Sequence, residues 1–188
     1  MDIVLFGIQG SGKGTQARKL AEEFGYDIFE AGGELRSIAA SSTELGGIVR
    51  SYVDEGNLVP HDIIMRIVRE AVFARPSHQK ILFDGVPRDL DQMRDFDRIM
   101  QDAKRPFRCV HLLVDENEAF QRLLHRSSME NRTDDGSTEK IQRRMRLFHE
   151  KTLPVIEAYR HGGNMVPING DGSIDEVYPR LRDAVSMQ

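Results

Sequence analysis

Cysteine is almost missing from this chain: Cys109 is the only one in 188 residues. A lone cysteine excludes a disulfide framework and a multi-cysteine zinc site, so the expected home is a reducing cytoplasm. Cys109 lies in an apolar run and reads as a core residue rather than a working thiol. Long apolar runs are missing too. No stretch approaches the ~18 residues of a membrane-spanning helix, and Met1 leads straight into an apolar segment, so neither a membrane span nor a signal peptide is expected. Positive charge is not in excess. The net charge of −4 and the lack of interleaved aromatic and basic residues argue against nucleic acid or a membrane surface as partner. The six histidines show no metal-ligand spacing and are read as non-catalytic. Repeats, low-complexity tracts and long linkers are absent. What remains, 39% hydrophobic and 30% charged residues, suits one soluble globular domain with small inserted lobes.

What is present is organised around Gly7-Ile8-Gln9-Gly10-Ser11-Gly12-Lys13-Gly14-Thr15. The apolar run Ile3–Phe6 before it reads as a buried strand. After it, Ala17, Leu20, Ala21 and Phe24 share one face at helical spacing. Strand, glycine-rich turn and helix together make a phosphate site. Glycines permit positive φ, backbone N–H groups converge on a polyphosphate, and the helix N-terminus adds favourable partial charge. Lys13 would reach the β- and γ-phosphates. The general P-loop pattern places Ser or Thr directly after the lysine, whereas here Gly14 intervenes before Thr15.

Further along, Tyr26–Phe29, Lys80–Asp84, Arg108–Val114 and Met165–Ile168 read as strands alternating with helices, which implies a parallel sheet covered on both faces. Thr43 is placed to cap a helix over 44–55, and 30–59 reads as a small helical excursion. Asp84, a carboxylate at the C-terminal end of an apolar strand, is placed to face Mg²⁺ or its waters. Its bland alternative is the cap of a following turn. Residues 127–137 are polar and aperiodic and read as a flap. A long helix from Thr138 towards Tyr159 is expected to bend at Pro154.

Several motifs together resemble the adenylate kinase family of nucleoside monophosphate kinases, in its short-lid form, across essentially the whole chain. They are Lys13-Gly14-Thr15-Gln16; Gly32 with Leu35-Arg36; Gly56-Asn57-Leu58-Val59-Pro60; Asp84-Gly85-Val86-Pro87-Arg88 with Gln92; Arg122 and Arg126; Arg132-Thr133-Asp134-Asp135; Arg144; and Thr152-Leu153-Pro154-Val155-Ile156. The resemblance implies an α/β, P-loop NTPase-type three-layer fold in a single domain over residues 1–188. Its parts would be a five-stranded parallel core, a nucleoside monophosphate lobe at 30–59 and a lid at 127–137. It implies reversible transfer of the terminal phosphoryl group of ATP to AMP, with Mg²⁺ and no zinc, by a cytoplasmic monomer.

Position by position, the resemblance puts ATP on Gly10, Ser11, Gly12, Lys13, Gly14 and Thr15. Arg122 would lie near its base, Arg126 on its phosphates and the Gly172 backbone against its adenine. Arg36, Arg88, Arg132 and Arg144 would gather around the acceptor phosphate and the transferring group. Lys13, Arg88, Arg126, Arg132 and Arg144 form the implied catalytic set. Ala31, Asn57, Val59, Gly85 and Gln92 would complete the acceptor site, Gln92 reading the base edge. Arg144 is preferred to Arg143 because Ile141, Phe148 and Thr152 stand at the family's offsets from it. Any metal would be held through phosphates and water near Thr15 and Asp84, with no direct protein ligand assigned.

The chain also departs from the family pattern. Gln9 stands where proline is common, Ala31-Gly32-Gly33 replaces Thr-Gly-Asp, and Val86 replaces Phe. Ala31 resembles the UMP/CMP kinase branch, whereas Gln92 resembles the adenylate branch. Gln92 carries more weight, because an amide can pair bidentately with an adenine edge while Ala31 loses a single contact. A UMP/CMP or broader nucleoside monophosphate kinase stands as the alternative. An inactive nucleotide-binding regulatory protein is the more distant one.

Overall fold

A computed structural model describes residues 1–129 and 137–186, with the side chains of 127–129 outside that description. Five parallel strands form one sheet in the order β2-β3-β1-β4-β5: β1 (Asp2–Phe6), β2 (Asp27–Glu30), β3 (Ile81–Asp84), β4 (Phe107–Leu113) and β5 (Met165–Asn169). β1 is central, with Leu5 aligned to Asp84 on one side and to Val110 on the other. The chain crosses from one side of β1 to the other between β3 and β4. The C-terminal end of β1 is therefore the topological switch point, where open parallel sheets place ligands.

Alternation along β1 separates two cores. Val4 and Phe6 join Phe29, Phe83 and Cys109 on one face, covered by α4 (His61–Ala74), α5 (Leu90–Asp102) and α8 (Leu153–His161). Ile3 and Leu5 join Leu82, Val110 and Leu112 on the other, covered by α1 (Lys13–Phe24) and α9 (Ile174–Ser186). These are the three layers the alternating pattern requires. An aromatic chain crosses the first core. Phe83 meets Phe96 edge-on at 5.0 Å between ring centroids, Phe96 meets Phe107 at 5.3 Å, and Phe107 meets Tyr159 at 5.8 Å. Each such pair adds about 0.5–1.5 kcal/mol beyond the area it buries. Cys109 is fully buried, and burial pushes its thiol pKa up, as suits a packing residue.

A third, smaller core lies under α2 (Ala31–Ala40) and α3 (Glu44–Asp54), where Ala39, Val49, Val59 and Ile63 meet. Thr43 caps α3 by accepting from the Gly46 N–H at 3.0 Å. Among the described residues no helix is long and apolar enough to cross a membrane.

Two boundaries differ from the sequence reading by more than one residue. α6 (Glu116–Met129) runs three residues into the stretch read as aperiodic, because a formed helix propagates over residues of weak propensity. The remainder of the expected lid, 130–136, lies outside the described residues. The long helix after Thr138 is interrupted before Pro154 rather than at it. α7 (Thr138–Leu147) passes into a π-turn over Phe148–Thr152, where the Leu153 N–H donates five residues back to the Phe148 carbonyl. Widening the turn ahead of proline accommodates the residue that lacks a donor.

At the opposite end of the strands, Asp2 and Arg105 form a buried pair. Arg105 Nε donates to Asp2 Oδ2 at 2.7 Å and Nη2 to Asp2 Oδ1 at 3.0 Å, while Asp2 Oδ1 also accepts from the Ile81 N–H at 2.8 Å. Arg105→Met would strand the carboxylate, and a loss of about 3–5 kcal/mol is expected in denaturant unfolding. Arg94→Ala, which breaks the exposed Arg94–Asp91 pair on α5, should cost less than about 1 kcal/mol. Equal losses for the two variants would contradict this reading.

Candidate active site

The turn from β1 into α1 takes the form of a cradle. Gly10 has φ 84° and Gly12 φ 90°, both in the left-handed region. A Cβ on Gly10 would lie 2.3 Å from the Ala119 carbonyl oxygen of α6, so this glycine is also required by close approach. Lys13 folds back over the loop, its Nζ donating to the Gly7 carbonyl at 2.6 Å and the Ile8 carbonyl at 3.1 Å. Desolvation lowers the Lys13 pKa to about 8; Asp84 opposes that shift, and the charges of Arg88, Arg144 and Arg126 reinforce it.

A cleft of about 460 Å³ opens over this loop. Gly10, Gly12, Lys13, Gly14, Thr15, Arg122 and Arg126 line it, as do Ala31, Arg36, Asn57, Val59, Gly85, Arg88, Gln92 and Arg144. Ser11 is buried beneath the loop, with its Oγ 3.5 Å from Lys13 Nζ. Gly172 is not part of the cleft wall. It meets Arg122 at the rim, its carbonyl accepting from Arg122 Nη2 at 3.3 Å. Arg144 lines the cleft, whereas Arg143 turns away and donates to the Glu55 carbonyl at 3.2 Å. Arg132, Thr133, Asp134 and Asp135 lie outside the described residues.

Asp84 is buried beside Lys13, and desolvation pushes its carboxyl pKa up. The helix cap after this strand is Asp89 instead, which accepts from the Gln92 N–H at 2.8 Å. That cap seats Gln92, and the Arg88 N–H donates to Gln92 Oε1 at 2.9 Å. One side of the amide oxygen is thereby engaged, and the amide orientation is fixed with its NH₂ as the donor end. Arg88 is held in turn: its Nε donates to the Gly85 carbonyl at 2.7 Å, and its own carbonyl accepts from Thr152 Oγ1 at 2.9 Å. The π-turn thus supplies both Thr152 and Phe148 to the cleft wall.

Sequence reasoning overlooked Arg18 and Glu30, both of which line the cleft. Glu30 ends β2 in register with Asp84, so the strand-end rule applied to Asp84 would have found it. Arg18 lies one helical turn beyond Gly14 and donates to Thr15 Oγ1 at 3.4 Å. His111 is buried under the loop. Desolvation first, then the Arg160 and Lys13 charges, hold its pKa down to about 4, so it is neutral at neutral pH.

A glycine loop at the switch point of a parallel sheet, ringed by a lysine and several arginines, defines a P-loop phosphotransferase. The chain matches the family model described as adenylate kinase over residues 5–164, and it belongs to the adenylate kinase family. A protein named adenylate kinase from Thermus thermophilus is 37% identical over 186 residues, covering 98% of this chain and 97% of its own. Others of that name, from Parabacteroides distasonis and Thermobifida fusca, are 33% identical over 187 residues and 35% over 186, each covering 98% of the relative.

Gly10→Ala would force a left-handed φ on alanine and drive its methyl into the Ala119 carbonyl. A destabilisation of about 2 kcal/mol or more is expected in thermal unfolding. An unchanged melting temperature would mean that the loop is not held against α6.

Proposed function

We propose that the chain transfers the terminal phosphoryl group of ATP to AMP, reversibly, giving two ADP. The observation that carries this reading is that Lys13, Arg36, Arg88, Arg126 and Arg144 line one cleft together with the phosphate loop and Gln92. Two nucleotides bring several negative charges together, and the transferring group needs stabilisation more than it needs a base. An oxygen of the AMP phosphate forms the new bond to the γ-phosphorus as the bond to the β–γ bridging oxygen breaks. No proton has to be removed from the acceptor.

In this reading the loop N–H groups and Lys13 hold the donor phosphates, and Arg126 spans towards the γ-phosphate. Arg36, Arg88 and Arg144 orient the acceptor phosphate, together with Arg132. Arg122 and the Gly172 backbone flank the donor base. The amide NH₂ of Gln92 reads an acceptor atom on the AMP base, with the Val59 and Gly85 backbone alongside. Thr15 and Asp84 offer a hydroxyl and a carboxylate, hard oxygen donors that suit Mg²⁺ held largely by phosphates and water. Bound with ATP, Mg²⁺ would neutralise charge on the donor phosphates. A monomer in the cytoplasm remains the expectation.

UMP/CMP kinase and regulatory-protein readings, raised by Ala31 and Gly33, gain no support from the adenylate kinase relatives. Assaying ATP against AMP, CMP, UMP and GMP should give AMP the highest kcat/KM, by about tenfold or more. Ala31→Thr should lower the KM for AMP by about two- to tenfold, the scale of one restored hydrogen bond. A preference for CMP or UMP, with AMP use untouched in Gln92→Ala, would overturn the assignment of AMP.

The lowered pKa of Lys13 predicts a pH profile. Above about pH 8 the free enzyme loses the Lys13 charge, so kcat/KM for ATP should fall towards tenfold per pH unit. Bound phosphate favours the ammonium form, so kcat at saturating ATP should hold to higher pH. A kcat/KM profile flat to pH ~9.5 would contradict the lowered pKa of Lys13.

A further inference from the structure

Glu30 is an anion in a cleft built for anions. It ends β2 directly beside Asp84 of β3, so two carboxylates stand together next to the phosphate loop. Its Oε1 accepts from Arg36 Nη2 at 2.8 Å, with side chains 43% and 30% exposed. Arg36 is folded back along the first turn of α2, where a Cβ on Gly32 would lie only 3.0 Å from its Nη1. The guanidinium is therefore held over the α2 backbone, with Glu30 on one of its donors. On the other side of Glu30 stands Gly33. A Cβ there would lie 3.6 Å from Glu30 Oε2, so a residue with no side chain borders the carboxylate. A second hollow of about 340 Å³, lined by Gly14, Arg18, Glu30, Gly33, Glu34 and Asp84, opens on that side.

We propose that Glu30 is a displaceable internal anion: it occupies Arg36 while the acceptor site is empty and yields it to the acceptor's phosphate. The proposal rests on the reading that Arg36 binds that phosphate. A half-exposed ion pair is weak enough to exchange, and a phosphate with several oxygens makes a better fork for guanidinium than one carboxylate oxygen does. A carboxylate left beside the incoming phosphate would repel it, and the hollow bordered by Gly33 gives Glu30 room to withdraw. Glu30 thereby acts on acceptor binding through Arg36 and sets its affinity below what the arginines alone would give.

The test is the affinity of the purified full-length protein for AMP, measured by calorimetry without ATP, beside its affinity for ATP. Glu30→Gln keeps the shape and removes the competing charge. It should tighten AMP binding about three- to tenfold and tighten ATP binding by less. Glu30→Ala should move in the same direction, and a thermal melt checks that each variant is folded. If Glu30 only braces Arg36, both variants will weaken AMP binding. That result, or no change, overturns the proposal. Arg36→Gln separates the two layers. If it leaves AMP binding unchanged, the assignment of Arg36 to the acceptor phosphate fails. If it weakens AMP binding while Glu30→Gln does not tighten it, that assignment stands and the displaceable anion alone is wrong.

Discussion

Several cations brought together around one cleft are the constraint on which this structure depends. Lys13 lies in the field of Arg88, Arg126 and Arg144, and its ammonium is drawn out of solvent onto the Gly7 and Ile8 carbonyls. Like charges in a low-dielectric cleft repel, and only rigid supports keep them there. The supports are visible. Gly10 lets the loop lie against α6, the Gly85 carbonyl and Gln92 fix Arg88, and the π-turn brings Thr152 onto the Arg88 carbonyl. Under the proposed function, a polyanion entering the cleft would relieve the repulsion that these supports sustain, so binding and charge stabilisation would draw on one preorganised field.

The sheet explains why the field stands where it does. With β1 in the centre, the ends of β1, β2 and β3 deliver the loop, Glu30 and Asp84 to the same edge. At the opposite edge the Arg105–Asp2 pair ties the start of β1 to that of β3, and there the pair is closed, buried and satisfied. The two ends use charge in opposite ways. At the strand starts opposite charges neutralise each other and serve the fold. At the strand ends several cations line one cleft with Glu30 and Asp84 among the described residues.

Gln92 is oriented before any ligand arrives. The Asp89 cap sets the first turn of α5, and the Arg88 N–H binds the amide oxygen. An arginine assigned to phosphate and an amide assigned to the base are thus coupled through one backbone segment. Ala31, buried near Gly85, contributes shape but no hydroxyl to the same wall. Under the proposed function, acceptor choice would lean on Gln92 more than in a relative with threonine at that position.

Local chemistry made much of this legible in the sequence. Apolar runs meeting glycine turns marked β1 and β3, Thr43 marked the start of α3, and the spacing of Ala17 and Leu20 marked the buried face of α1. These features depend on near neighbours, and their periodicity or capping is written in consecutive residues. The three-layer parallel architecture followed from strand–helix alternation, because parallel strands need crossovers that cover both faces. The π-turn was not legible. Pro154 signalled a disturbance, but whether the helix bends at proline or widens ahead of it depends on what the turn packs against, here Phe148 and Thr152 at the cleft. Nor did spacing alone reveal Glu30 facing Arg36. The sequence by itself determined which residues could hold phosphate. Tertiary structure decided which of them share a cleft, because strand order and helix packing, rather than neighbours along the chain, bring distant charges to one place.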